Sequence, residues 1–203
     1  MSELSNALNV RLNGSKIRTL SKVNDDDFSL IAIELNLRSP LTLIMTDGLR
    51  AYEQPVDTTK NGQKHIELFF CLPSYWDLDE PNDQWVLEWL QKLAKHLVTK
   101  KTWYGEGHTF PNGNPIQQIS EKMQQKYFLL SEPIYVTDLK NALEVEGKNV
   151  HFLSIIPIFE DEFDYKIGKG NYKLLKKMKD KGINEVLDHF RMTCLKNKWR
   201  IFK

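Results

Sequence analysis

The chain has 203 residues, of which 41% are hydrophobic and 27% charged. This composition is typical of a soluble globular protein and excludes a disordered or fibrous one. The net charge of +1 is uneven, because residues 166–203 hold 12 Lys and Arg against 3 Asp and Glu. That basic segment indicates a solvated lysine-rich helix face or, as the less favoured alternative, a surface for nucleic acid or an acidic protein.

Cysteine content and hydropathy indicate a protein of a reducing compartment. Cys71 and Cys194 are too few for a secreted disulfide scaffold. Residues 1–10 lack the pattern of a signal peptide, and no apolar run reaches the roughly 20 residues of a membrane helix. We therefore expect a cytoplasmic protein without a membrane segment.

In chain order, residues 1–27 are polar and end in Asp25-Asp26-Asp27, so we predict a short, partly ordered lead-in. Alternating apolar and polar residues then predict strands, separated by turn residues. The predicted strands are 28–37, 41–46, 65–72, 126–132 and 149–158. The first two are suited to a hairpin, and Pro157 indicates a strand end or a sheet edge.

Helical periodicity is clearest at residues 84–98, where apolar side chains recur every four residues and form one wide face. Asn82 or Asp83 is expected to cap this helix. Further helices are predicted at 161–181, with a break at Gly168–Gly170, and at 183–192. Strands before helices predict an α+β fold, a mixed, largely antiparallel sheet packed against helices. We place this domain at 28–192 and a basic tail at 193–203.

The segment TWYGEGHTFPNGNP, 102–115, is predicted to be a loop without a regular element, because three glycines, two prolines and two asparagines fall within fourteen residues. It also holds four aromatic rings, and such loops on a rigid scaffold often bind ligands. One hypothesis makes His108 a general base that Glu106 or Asp47 orients. The favoured alternative is that the His108 ring holds the loop by bonding a backbone carbonyl.

Motifs for other chemistry are missing from the sequence. Histidine and cysteine spacings do not match a metal site, and neither a Walker motif nor a nucleophile elbow is present. We therefore expect no metal and no cofactor.

Several segments together resemble the suppressor of fused domain family, specifically its short bacterial members. They are LTLIMTDGL (41–49), HIELFFCLPSYW (65–76), WVLEWLQKLAKH (85–96), TWYGEGHTFPNGNPI (102–116), NVHFLSIIPIFEDEF (149–163) and KIGKGNYKLLKKMKDKGI (166–183). Their order and spacing match the family along most of 28–190. The loop pattern GxGHTxPNGxP is the most specific piece.

The resemblance implies a suppressor-of-fused-like domain that binds another protein and is not an enzyme. Animal members are negative regulators that clamp a transcription-factor peptide as an added strand, with a second C-terminal domain that this chain is too short to contain. The loop that matches 105–114 lies close to that peptide. The implied protein-binding residues are Trp103, Tyr104, Gly105, Glu106, Gly107, His108, Phe110, Asn112 and Asn114.

Bacterial members are similar to immunity proteins of polymorphic toxin systems, so the implied partner is a toxin domain neutralised by binding. The acidic residues Asp25–Asp27, Asp77, Asp79, Glu80 and Asp83 would suit a basic nuclease toxin, or are simply a solvated surface. The alternatives are a regulatory or scaffold protein without a toxin partner and a His108-dependent hydrolase. A nucleic-acid binder that uses the basic tail is the remaining and least favoured class.

Overall fold

The computed structural model describes residues 2–22, 28–56 and 62–195, which form one sheet with helices on both faces. The strands are β1 (Lys16–Lys22), β2 (Ser29–Leu35), β3 (Leu41–Asp47), β4 (His65–Pro73), β5 (Thr109–Pro111), β6 (Tyr127–Ser131), β7 (Leu143–Val145) and β8 (Lys148–Ile158). The helices are α1 (Glu3–Arg11), α2 (Trp85–Thr99), α3 (Glu160–Lys169) and α4 (Asn171–Asp180). Short 3-10 helices lie at Leu49–Ala51, Pro81–Asp83 and Thr137–Leu139.

The sheet is mixed and largely antiparallel, as the sequence predicts. Its order is β1-β2-β3-β4-β8-β6-β5, and β7 pairs with the start of β8. Among the described strands only β4 and β8 pair in parallel, with Leu68 opposite Leu153. The predicted hairpin forms, since β2 and β3 are antiparallel with Ile33 opposite Leu43. The α+β assignment is therefore confirmed.

Alternation along the strands divides the core between the two faces of the sheet. On β3, Ile44 joins the cluster under α2, whereas Leu43 and Met45 join the cluster under α1. The predicted apolar face of α2 lies on the first cluster, with Trp85 and Trp89 7% and 8% exposed. A third cluster joins α4 to β6 and β8. Burial on both faces explains why these strands are almost continuously apolar.

Beyond Phe69, residues 184–187 take the place of β8 beside β4. Cys71 forms a parallel bridge with Val186, and the Leu187 N–H donates to the Cys71 carbonyl at 2.8 Å. The Glu185 carboxylate holds this segment by accepting hydrogen bonds from three backbone N–H groups at 2.8–3.0 Å. The donors are Ile134, Tyr135 and Val136. The predicted helix at 183–192 is therefore wrong, because remote hydrogen bonds outweigh local helical periodicity.

Three further local predictions need correction. The predicted lead-in contains α1 and β1, and Leu4 and Leu8 of α1 are fully buried. Neither Asn82 nor Asp83 caps α2, since its N-cap is Gln84 without a side-chain hydrogen bond. The 102–115 segment is not wholly irregular, because it contains β5, which pairs with β6.

Of the remaining predictions, some agree with the structure and others concern residues outside the described ranges. The helical pattern at 161–181 does break at Gly170, between α3 and α4. Pro157 lies near the end of β8, as expected of a strand end, although β8 is an inner strand of the sheet. Asp25–Asp27 and residues 196–203 of the predicted tail lie outside the described residues. Within the described ranges, no helix has both the length and the apolar character needed to span a membrane.

Candidate functional site

The loop at 102–108 is fixed to the core through Tyr104, which is 2% exposed. Its hydroxyl donates to the Leu93 carbonyl at 3.1 Å and lies 2.8 Å from Nδ1 of His96. The Gln54 side-chain amide binds both the N–H and the carbonyl of Tyr104, at 2.6 and 3.1 Å. Burial raises the pKa of the Tyr104 phenol, so it stays neutral. Tyr104 therefore holds the loop and offers a partner almost no surface.

Trp103 lies over the backbone of Gly62. A Cβ at Gly62 would come within 2.7 Å of Trp103 Cε3 and 2.6 Å of Val56 Cγ1. Gly62 also pairs with Gly105 in an isolated antiparallel bridge. Because only glycine allows this approach, Gly62 lets the Trp103 ring lie close to the backbone.

Gly107 brings the start of α4 against the loop. Its φ of 87° lies in the left-handed region that favours glycine. Its N–H donates to the Leu130 carbonyl at 2.8 Å, and an added Cβ would be 3.0 Å from the Asn171 side chain. The loop, β6 and α4 therefore meet at one residue.

His108 contacts aromatic rings rather than a carboxylate. Its ring centroid is 4.4 Å from that of Trp103, and 6.5 Å from that of Tyr104. Burial, and secondarily the charge of Lys166, lower the pKa of His108. Among the residues that the structure describes, neither a carboxylate nor a backbone carbonyl is hydrogen-bonded to this ring, while the Asp47 carboxylate is bound by Arg50. The acid–base pair of the hydrolase hypothesis is not assembled here.

The second half of the loop is held by Asn112, which is 8% exposed. Its amide donates to the carbonyls of Gln117 and Gln118 at 3.2 and 2.8 Å, and its oxygen accepts from Trp89 Nε1 at 3.2 Å. Phe110 packs half-buried against Tyr104, with ring centroids 4.9 Å apart. Like Tyr104, Asn112 supports the loop from within.

The accessible part of the predicted site is therefore smaller than the whole loop. Glu106 and Asn114 are exposed, and Trp103, Gly107 and His108 are half-buried. We name Trp103, Glu106, Gly107 and His108 the loop surface. Burial and the neighbouring Glu132 raise the pKa of the Glu106 carboxyl.

Lys166 is a neighbour of this surface that the sequence did not predict. Lys166 lies on α3, is partly buried, and has its pKa lowered by burial. It influences His108 although 58 positions of sequence separate the two residues. No local motif reports such a contact, because it depends on α3 and α4 returning to the β5 edge of the sheet.

Other groups of chemically active side chains are already engaged. Within the described part of the chain, no three His, Cys, Asp or Glu residues gather closely enough to hold a metal ion. Cys71 and Cys194 are both buried, and burial raises the pKa of the Cys194 thiol to about 12. Asp83 of the predicted acidic surface is 1% exposed and pairs with Lys122 at 3.2 Å, so it is unavailable to a partner.

Comparisons with known proteins agree on one family. The family model described as suppressor of fused protein (SUFU) matches residues 24–192. An uncharacterized protein of Ureaplasma parvum serovar 3 is 25% identical over 163 residues, which cover 77% of this chain and 75% of that protein.

Solved structures share the fold at low identity. A SUFU homologue from Neisseria gonorrhoeae has a TM-score of 0.70 and 18% identity over 97% of each chain. A chain of the Sufu–Fu complex has a TM-score of 0.66 and 12% identity, covering 94% of this chain and 90% of that one. Drosophila Suppressor of Fused has a TM-score of 0.54 and 12% identity over 89% of this chain, but only 42% of its own length is covered.

Proposed function

This chain belongs to the suppressor of fused protein family, and we propose that it is a non-catalytic protein-binding domain whose partner contacts the loop surface. One observation carries the proposal: Tyr104 and Gln54 fix the loop from inside while neighbouring aromatic and charged groups remain accessible. A loop fixed in advance loses little conformational entropy on binding. Aromatic side chains ringed by polar groups are also the usual anchors of protein interfaces.

More specifically, we propose that the partner is a toxin domain and that binding neutralises the toxin. The resemblance to short bacterial members supports this form, which makes the chain an immunity protein. A regulatory or scaffold role is the second candidate, since a protein of this fold is found in the Sufu–Fu complex.

A direct test uses the product of the reading frame adjacent to this gene in its source genome. We expect that product to inhibit growth when expressed alone, and this chain to bind it and restore growth. Trp103→Ala and His108→Ala should each weaken binding in calorimetry by about tenfold or more, as expected for interface anchors.

The matched control is Arg18→Ala, because Arg18 is exposed on β1 at the opposite edge of the sheet. Thermal denaturation of each variant separates loss of binding from loss of folding. Unchanged affinity in both folded loop variants would show that the loop surface is the wrong one. Binding without any effect on growth would favour the regulatory role.

A further inference from the structure

A lysine-rich segment, 166–181, begins beside the loop surface. We name it the basic segment; its lysines are Lys166, which is partly buried, and the exposed Lys169, Lys173, Lys176, Lys177, Lys179 and Lys181. Within 166–181 the only acidic residue is Asp180. In the described ranges none of these lysines forms an ion pair, although lysines elsewhere pair with Glu34, Glu53, Asp83 and Glu160.

Lys166 is the first lysine of this segment, and burial and, secondarily, the charge of Lys166 lower the pKa of His108. The Lys166 carbonyl accepts a hydrogen bond from the Gly170 N–H at 2.7 Å, which places it one turn before α4. The first residue of α4, Asn171, packs against Gly107. The end of α3 and the start of α4 therefore share one corner of the molecule with Gly107 and its neighbour His108.

Two features of this corner are unsatisfied by the described residues. Lys166 is partly withdrawn from water without a carboxylate to compensate, which is unfavourable for an ammonium group. Asn171 Oδ1 is buried and has no hydrogen-bond donor. A carboxylate from a partner would compensate the Lys166 ammonium.

Apolar side chains are exposed on the same two helices. Ile167 is 67% exposed and Tyr172 is 77% exposed. An aliphatic and an aromatic group among lysines suit a peptide with mixed side chains. A phosphate backbone suits the corner less well, because it has no aliphatic side chain to pack on the exposed Ile167.

We propose that the partner contributes an acidic peptide segment, whose carboxylate binds Lys166 while a neighbouring apolar side chain packs on Ile167 and Tyr172. This inference rests on the proposed protein-binding function and specifies its partner's chemistry. It also reverses the sign expected from the acidic residues of the sequence, because residues 166–181 carry seven lysines and one acidic residue.

The test is selection of a displayed library of short random peptides on the purified chain at physiological salt. Enriched peptides are then synthesised, and their affinities are measured by fluorescence anisotropy. We expect them to share an Asp or Glu. Lys166→Met, which removes the charge, should weaken binding by about tenfold, and Lys166→Glu by more.

A double-mutant cycle isolates the contact. Changing the peptide's acid to its amide should weaken binding to the native chain but have little further effect on Lys166→Met. Arg18→Glu is the control, because it makes the same charge change as Lys166→Glu at the far edge of the sheet.

The outcomes separate this inference from the proposed function. If the enriched peptides lack an acidic residue, or if their affinity depends on Trp103 and His108 but not on Lys166, the proposed loop surface stands and the acidic-peptide inference is wrong. If no peptide is enriched, or if changing each of the three residues leaves the affinity unchanged, both the proposed function and the acidic-peptide inference are contradicted. A single-stranded oligonucleotide that binds more tightly than every peptide, and depends on Lys166, overturns the inference in favour of nucleic acid.

Discussion

Glu162 and Arg191 form a two-pronged ion pair, with Oε1–Nη1 and Oε2–Nη2 distances of 2.7 and 2.6 Å. The Glu162 side chain is fully buried and also accepts hydrogen bonds from the N–H groups of Cys194 and Phe159, at 2.8 and 2.9 Å. One carboxylate on α3 therefore fastens the end of the described chain, which has no regular element of its own there.

Glu162→Gln should lower the free energy of unfolding by about 3 kcal/mol, the usual cost of breaking a buried ion pair. The reason is that the Arg191 guanidinium stays in place without its counter-charge. Urea denaturation measures the change. The Arg191→Met single variant and the double variant complete a cycle, and additive effects would contradict direct coupling.

The same pair predicts a pH dependence. Burial by itself raises the pKa of Glu162, but the Arg191 charge and the N–H donors outweigh it and hold the pKa below the ordinary 4.5. A carboxyl whose folded pKa is lowered stabilises the fold above its unfolded pKa, and that stability is lost as the pH falls. The stability gap between the native chain and Glu162→Gln should therefore narrow as the pH is lowered from about 6 to about 3. A gap that stays constant over this range would show that the charge of Glu162 is unimportant.

Gly62→Ala should displace the Trp103 ring and lower stability by about 1–3 kcal/mol, since the new methyl group meets two side chains. The indole N–H signal of Trp103 in an NMR spectrum reports the displacement. Gly168→Ala is the matched control on α3, where an added Cβ meets nothing within 4 Å. That control should stabilise the fold by about 0.5–1 kcal/mol through helix propensity. An unmoved indole signal in Gly62→Ala would contradict the packing of Trp103 on Gly62.

Tyr104→Phe should cost about 1–2 kcal/mol, because the buried Leu93 carbonyl loses a hydrogen bond. The variant should also loosen the loop. Faster amide exchange at Gly107 and His108, measured by NMR, reports that loosening. If stability falls while exchange in the loop stays slow, Tyr104 supports the core and not the loop.

Glu185→Gln should release residues 184–187 from β4, since three backbone N–H groups lose a charged acceptor. We expect a loss of about 2–3 kcal/mol and faster exchange of the Leu187 N–H. Asp188→Asn serves as the control, because Asp188 is exposed, lies three residues after Glu185 and takes no part in this contact. If the Leu187 amide still exchanges slowly in Glu185→Gln, the packing of Val186 and Leu187, and not Glu185, keeps this segment beside β4.

The amino-acid pattern by itself determined β2, β3, β4, β6, β8 and α2, together with the break at Gly170. Alternation and helical periodicity record which side of an element is buried, so they can be read without knowing the neighbours. The loop was likewise evident from its glycines, prolines and asparagines. Its role as a binding surface rests on the family resemblance and stays a proposal.

Only the tertiary structure decided which loop residues are accessible and how the end of the chain is held. Tyr104 and Asn112 read as aromatic and polar binding residues, but Gln54 and Trp89 bind them from remote parts of the chain. Residues 183–192 read as a helix, but backbone donors near residue 135 bind Glu185 and keep the segment extended beside β4. Long-range hydrogen bonds leave no periodic trace in the sequence, and they outweighed local propensity at both places.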